Sequence, residues 1–379
     1  MTEIKAIPKG FALEEVLRAY FLRAGFFVVR GVPLRIEDEV ITDVDLWLYD
    51  KPTGTSRRIQ LCDIKYKQKP KAVERILWTS GLTEALGVDG AYVATTDSRP
   101  ALRVIASRLN LQLIDGVDIK RIQSSTTILY PDRIYDEQLI AELQFIDKDL
   151  RIKEFQSSRL DILSSLTEGF GAPSTVRSLE AFSRLAGAVV SHHPNSKPAK
   201  AAGRLAFLAG ALCCMSLDYV SVGAAFRSVD ERRKLILDAV RLGALGEVKG
   251  QKALKTAIAL IEKYAPGGKK AARMIETSFK NDVEQIPAEI IADQAVRLLK
   301  ENQLFVCGRE LESACYATEL SSFDNLSAPT KSMLGALLDY SQIDRQKFAQ
   351  AWTAVAPQPM SVMPSGANEE GTPSLFDVE

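Results

Sequence analysis

The feature that most constrains this chain is a change in hydrophobic periodicity near residue 136. Before that point, helix-type and strand-type spacings of apolar residues alternate, and glycines or turn residues separate the segments. After it, the spacing is helical as far as residue 355. Alternating helices and strands pack as a sheet covered by helices, whereas helices alone pack against one another. The sequence therefore predicts an α/β domain followed by an all-α domain.

The N-terminal pattern predicts elements in the order α-β-β-β-α-β-α-β. Helices are expected at residues 11–24, 72–86 and 100–109, and strands at residues 26–30, 39–49, 58–66, 90–95 and 111–115. In the second strand, alternation predicts Val44, Leu46 and Leu48 on one face and Asp45 and Trp47 on the other. This order indicates a mixed sheet with helices on its faces.

Ten helices are predicted after the change, and the first is one long helix at residues 137–164. We divide the chain into an α/β domain at residues 1–122, a connecting segment at 123–150, an all-α domain at 151–355 and a tail at 356–379. The tail is rich in Pro, Met, Ser, Gly and Glu, and it is expected to be flexible and acidic.

Composition excludes several classes of protein. We find no stretch approaching the ~20 apolar residues of a membrane span and no apolar leader at the N-terminus. Five cysteines without a C-x-x-C spacing favour a reducing, cytoplasmic location and argue against a zinc site. The two histidines, His192 and His193, leave few candidates for a histidine base. Catalysis would therefore use carboxylates, lysine and a metal ion.

Charge is unevenly distributed along a chain whose formal net charge is zero. Residues 51–75 contain eight basic and two acidic residues, and residues 231–280 contain twelve basic and five acidic residues. Two basic stretches fit a polyanionic partner such as nucleic acid. They fit two solvated surfaces equally well, so charge alone does not decide between these interpretations.

Acidic residues and one lysine are expected to meet at the second and third strands. Asp63 and Lys65 are two residues apart and share a strand face, and a hairpin brings Asp45 near them. Glu14 lies on a helix that can pack over the same edge. Carboxylates that hold Mg²⁺ beside an ammonium group are suited to phosphodiester hydrolysis. An isolated Asp-x-Lys is more often an exposed ion pair worth under ~1 kcal/mol.

The ordered pattern resembles the PD-(D/E)xK nucleases, and most closely the Mrr-like branch of restriction endonucleases. The resemblance covers about residues 8–122 and rests on the Glu14 helix, Val44-Asp45-Leu46, Asp63-Ile64-Lys65 and the strands that follow them. It implies a restriction-endonuclease-like fold in which Asp45, Asp63 and the Ile64 carbonyl oxygen bind Mg²⁺ or Mn²⁺. It also implies that Lys65 is the catalytic lysine and Glu14 an auxiliary acid.

Two positions depart from the family pattern. Asp43 stands where a glycine is usual, and it is expected on the same face as Asp45, where it could share the ligand role. The acid of the third strand is Asp63 rather than the commoner Glu or Gln, which would draw a metal closer to the strand.

Several further residues are candidates for contacts with nucleic acid. Lysines after the third strand and at a helix start could follow a phosphate backbone, and they are Lys67, Lys69, Lys71, Lys269 and Lys270. A solvated strand end explains the first three nearly as well. Trp78 is interpreted as a core residue rather than a base-stacking platform.

The leading interpretation is a Mg²⁺-dependent DNA endonuclease, and the resemblance alone suggests restriction, anti-phage defence or repair. One alternative is a non-catalytic nucleic-acid-binding or scaffold subunit, and another is a nuclease acting on RNA or branched DNA. The helical domain is expected to recognise the target or another protein subunit. The oligomeric state stays open, and a dimer is compatible with the sequence.

Overall fold

The computed structural model describes residues 9–36, 39–67, 71–125, 127–149, 151, 154–300 and 302–352. A five-stranded mixed sheet with its helices comes first, and a mostly helical region follows. This confirms the predicted layout of an α/β part before an all-α part. The tail predicted at residues 356–379 lies outside the described residues.

The sheet keeps its strands in chain order, and they are β1 (Phe27–Ile36), β2 (Glu39–Asp50), β3 (Arg58–Lys65), β4 (Gly90–Thr95) and β5 (Leu111–Ile114). The pairs β1/β2 and β2/β3 are antiparallel, whereas β3/β4 and β4/β5 are parallel. Each parallel step needs a crossover helix, and α2 (Ala72–Leu86) and α3 (Pro100–Arg108) provide the two crossovers.

Two further helices pack on the sheet, and the sequence predicted one of them. The first helix, α1 (Lys9–Arg23), was predicted, but α4 (Gly116–Gln123) was not. Asp115 caps α4, because its carboxylate accepts hydrogen bonds from the backbone amides of Val117 and Asp118. An aspartate before a short apolar pattern is a helix-start signal, so the sequence does contain a cue for α4.

The helical region contains eleven described helices, which are α5 (Asp136–Asp149), α6 (Phe155–Ser164), α7 (Ala172–Ser191), α8 (Lys197–Val220), α9 (Val229–Leu242), α10 (Val248–Tyr264), α11 (Gly268–Glu284), α12 (Ala288–Leu299), α13 (Gln303–Tyr316), α14 (Ala328–Tyr340) and α15 (Arg345–Gln350). The single helix predicted at residues 137–164 is wrong, since α5 and α6 replace it. The Asp147 carboxylate accepts the backbone amides of Phe155 and Gln156 at 3.1 and 3.0 Å. This side chain satisfies amides at the start of α6, so the chain turns there.

Both faces of the sheet are covered, and one face shares its core with the helical region. Leu46, Leu48 and Ile64 pack with α1 and α4 in the smaller core. On the other face, Trp47 and Tyr49 belong to a larger core that extends into α7, α8 and α13. The Phe170 ring, just before α7, contacts the Trp47 ring edge-on with ring centroids 4.8 Å apart. The segment at residues 123–150 includes α5, whose inward face is buried in this larger core.

The predicted alternation along β2 is wrong at one rung. Val44 packs in the larger core together with Trp47, although the two residues are three positions apart and regular alternation would place them on opposite faces. The partner strand β1 changes face at the same level, where Gly31 has φ +62°. A left-handed residue suits glycine and adds local twist. Asp45 therefore lies at a twisted rung rather than in a regular strand.

One helix also corrects the expectation that no stretch could span a membrane. The helical stretch Lys197–Ala224, which includes α8, is long and apolar enough to do so by length and composition. In this structure, 83% of its most apolar window is buried inside the protein, as in the central helix of a core.

Candidate active site

The candidate site lies where β2 and β3 separate. Their pairing runs from Asp50 opposite Arg58 to Leu46 opposite Cys62. The next rung would place Asp45 opposite Asp63, but these two residues are no longer paired as strand partners. The Asp45 Oδ2 atom instead accepts a hydrogen bond from the Ile64 backbone amide at 2.6 Å. The Asp45 carboxylate is thus held in the gap between the two strands.

The surroundings of Asp45 favour its protonated form. Burial raises the pKa of this carboxyl above its usual value, while the Ile64 amide and the positive charges of Arg75 and Lys65 partly oppose the rise. A divalent cation would add a much larger opposing charge. Asp45 is therefore a carboxylate that gains stability from a nearby cation.

Asp63 is buried, with 7% of its surface exposed, and it is paired with an arginine that the sequence analysis did not single out. Arg75 Nε donates to Asp63 Oδ2 at 2.8 Å, and Arg75 Nη2 makes a short contact with the other carboxylate oxygen. Arg75 lies on the inward side of α2, because Ala72 and Ile76 beside it are buried. A basic residue at an inward helix position was the signal that could have revealed it.

Lys65 completes the predicted pair on β3. It is half-buried at the end of the strand, opposite Thr95 of β4. Its ammonium group is close enough to help lower the pKa of Asp45. Lys65 therefore acts electrostatically on Asp45. Asp43 is exposed on the solvated part of β2.

Glu14 is held beside this site by Arg30 of β1. Arg30 Nε donates to Glu14 Oε2 at 2.7 Å, and the same guanidinium reaches Glu15 at 2.8 Å and Glu137 at 2.6 Å. Burial raises the pKa of Glu14 to about 6; Arg30 opposes this rise, and the charge of Asp45 adds to it. The sequence placed Glu14 near Asp45 but did not anticipate that Arg30 would hold it.

A buried ionic network continues from Glu15 into the helical region. The Arg18 guanidinium donates to Glu15 and to Glu312 of α13, at 3.3 and 2.9 Å. Asp136, at the start of α5, accepts hydrogen bonds from Arg159 and from the Tyr316 hydroxyl. These contacts join α1 to helices that carry no candidate catalytic residue.

The donor set fits a divalent cation in kind but not in the arrangement observed. Asp45, Asp63 and the Ile64 carbonyl supply the hard oxygens that Mg²⁺ prefers. However, Arg75 takes both oxygens of Asp63, and the Ile64 amide takes one oxygen of Asp45. Within the described residues, no group of three or more His, Cys, Asp or Glu is arranged to hold a metal. A cation could use Asp63 after Arg75 has left it.

The predicted nucleic-acid contacts fall into two places. Lys67 and Lys71 are exposed after β3, and Lys71 pairs with Glu74 at 2.9 Å, while Lys69 lies outside the described residues. Lys269 and Lys270 are exposed in the first turn of α11, where they line a groove of about 640 Å³. The core interpretation of Trp78 is wrong, because 48% of its surface is exposed.

Comparisons with known proteins were made for the whole chain. No family model, curated protein or solved structure matches it.

Proposed function

We propose that this protein is a metal-dependent endonuclease that hydrolyses phosphodiester bonds in DNA. The observation that carries the proposal is the hydrogen bond from the Ile64 amide to the Asp45 carboxylate where β2 and β3 separate, because Ile64 lies between Asp63 and Lys65. A strand separation gives a cation access to carboxylates that are otherwise part of a closed sheet. The resemblance to PD-(D/E)xK nucleases, with a restriction-endonuclease-like fold, supports the same interpretation.

The residues have distinct roles under this proposal. Asp45, Asp63 and the Ile64 carbonyl oxygen would hold Mg²⁺ or Mn²⁺, and the bound ion would polarise a phosphoryl oxygen and acidify water. Lys65 neutralises negative charge that develops on the phosphate in the transition state. Glu14 adds a carboxylate that is ionised above about pH 6 and is kept in place by Arg30.

The partners follow from charge and from the resemblance. The basic stretch around Lys67 and Lys71 would contact the DNA backbone near the site, and Lys269 and Lys270 would contact it elsewhere. A role in restriction, anti-phage defence or repair, a cytoplasmic location and recognition of a protein subunit by the helical region are parts of the same proposal. They rest on the resemblance and the composition.

One observation favours a second candidate function. Arg75 occupies both oxygens of Asp63, and a permanent pair of this kind would leave a nuclease-like fold without a metal site. The protein would then be a non-catalytic subunit that binds nucleic acid.

A cleavage assay separates the two candidates. The full chain is incubated with supercoiled plasmid, linear duplex or single-stranded DNA in Mg²⁺, Mn²⁺ or EDTA. The nuclease proposal predicts metal-dependent cleavage that Asp63→Asn abolishes, whereas the control Asp293→Asn, in an exposed pair with Arg233, cuts like the parent. DNA binding without cleavage in either metal would support the non-catalytic subunit.

A further inference from the structure

Arg75 and Asp63 form a pair that is accessible from solvent on one side. The Asp63 side chain is 9% exposed and the Arg75 side chain 27% exposed, so the arginine covers the carboxylate on its open side. Arg75 is the fourth residue of α2. It follows closely on the segment that leads from β3 past Lys67 and Lys71.

Contacts other than this pair also hold α2 against the sheet. Ala72, Ile76 and Thr79 are buried and already fix the helix against the sheet. Among the ion pairs of the described residues, Arg75 has Asp63 as its partner. A guanidinium that loses this carboxylate needs another anion with two acceptor oxygens, and a phosphate offers such a pair to its fork of donors.

A metal ion and Arg75 compete for the same two oxygens. While both oxygens of Asp63 accept hydrogen bonds from Arg75, one lone pair of each oxygen is occupied and the guanidinium charge repels a divalent cation. Displacing the Arg75 guanidinium from Asp63 without a new anionic partner would leave this partly buried cation unpaired, which is costly. A phosphodiester at the site removes that cost by accepting the guanidinium.

We propose that Arg75 keeps Asp63 closed to divalent cations until a phosphodiester of the substrate accepts its guanidinium. This inference rests on the proposed nuclease function and adds an order of binding, in which nucleic acid precedes the metal ion. Arg75 then acts first as the partner of Asp63 and afterwards as a phosphate-binding residue.

The first test measures Mn²⁺ affinity without nucleic acid, by isothermal titration calorimetry on the full chain. Arg75→Gln should bind Mn²⁺ about tenfold more tightly than the parent, because an ionic competitor has been removed. The double variant Asp63→Asn/Arg75→Gln should lose this gain. The matched control is Arg103→Gln, since Arg103 also holds an aspartate, Asp115, twelve residues away in the chain, and it should bind like the parent.

The second test adds DNA in a background that prevents cleavage. A duplex of about 20 base pairs should tighten Mn²⁺ binding by Lys65→Ala about tenfold, but it should not tighten it further in Lys65→Ala/Arg75→Gln. The same duplex with Lys65→Ala/Asp63→Asn measures ions bound by the DNA alone. Circular dichroism and thermal unfolding confirm that each variant is folded.

The outcomes separate this inference from the proposed function. If Arg75→Gln and the parent bind Mn²⁺ equally and the parent cleaves DNA, then Arg75 does not control metal access to Asp63. The nuclease proposal would still stand. If DNA tightens Mn²⁺ binding equally with and without Arg75, the proposed order is also wrong. If no variant binds Mn²⁺ at Asp63, with or without DNA, the nuclease proposal itself is overturned.

Discussion

At the scale of single residues, Glu14 makes the site sensitive to pH. Its pKa is about 6 in the folded protein, against an ordinary value of 4.5, mainly because it is buried. As the pH rises from 4.5 to 6, the unfolded chain releases this proton first, so the free energy of unfolding falls. The contribution of Glu14 to the free energy of unfolding is complete below pH 4.5 and is lost above pH 6. The total change is about 1 kcal/mol after allowance for the partial exposure of Glu14.

We therefore expect Glu14→Gln to remove this pH dependence. Arg30 keeps Glu15 and Glu137 as partners, so the variant should fold. Urea unfolding between pH 4.5 and 7 should show the variant gaining about 1 kcal/mol relative to the parent as the pH rises. A difference that does not change with pH would show that Glu14 has an ordinary pKa.

Asp63 illustrates what residue types in a sequence do and do not reveal. Spacing predicts Asp63 beside Asp45 and Lys65. In the structure, Asp45 accepts the amide of Ile64, the residue between Asp63 and Lys65, and Arg75 pairs with Asp63. Two neighbouring carboxylates without a cation repel one another, so on residue types alone the removal of Asp63 is expected to leave folding intact. Arg75 changes this, because Asp63→Ala would leave a partly buried guanidinium without its partner.

At the scale of elements, strands and crossovers followed from hydrophobic spacing, whereas breaks that depend on one side chain did not. The bounds of α2 and β4 match the predicted residues 72–86 and 90–95. The break between α5 and α6 depends on Asp147 folding back on amides eight and nine residues later. The twist at Asp45 depends on Gly31 in the neighbouring strand. Periodicity reports neither kind of contact.

The hairpin of α10 and α11 carries the second set of predicted DNA contacts. In these two helices Ala272 is the one buried residue, and the hairpin packs against α9 and the turn Gly243–Gly246. Reversing Lys269 and Lys270 to Glu should weaken DNA binding and reduce the slope of log affinity against log salt by about 2.

Fluorescence anisotropy with a labelled duplex at several salt concentrations measures both quantities. The control reverses Lys300, exposed just after α12, and Lys347, exposed in α15, and it should leave the slope near that of the parent. Equal slopes for the two double variants would mean that the hairpin makes no specific phosphate contact.

At the scale of the whole molecule, Asp218 joins the sheet to the helical region. This carboxylate of α8 is fully buried and accepts hydrogen bonds from the Tyr49 hydroxyl at 2.8 Å, from Lys51 at 3.3 Å and from Arg57. Neither this contact nor the network around Arg18 could be predicted from the sequence, since the partners are more than 100 residues apart. Helix periodicity identifies inward faces but not the elements that they meet.

Asp218→Asn should therefore cost about 3 kcal/mol, because Lys51 and Arg57 lose their buried counter-charge. Tyr49→Phe is the matched control; it removes one hydrogen bond to the same carboxylate and should cost about 1 kcal/mol. Urea unfolding of both variants gives the comparison. Equal losses would show that the ionic part of this contact contributes nothing.

The most direct test of the account compares cleavage and metal binding in Lys65→Ala. A lysine that acts on the transition state should be needed for cleavage but not for holding the ion. The assay follows single-turnover cleavage of plasmid DNA in Mg²⁺, with Mn²⁺ affinity measured on the same preparations in the presence of duplex DNA. We predict that Lys65→Ala loses cleavage and keeps Mn²⁺ affinity, whereas Asp63→Ala loses both. A Lys65→Ala protein that cuts like an active parent would contradict the assignment of the site.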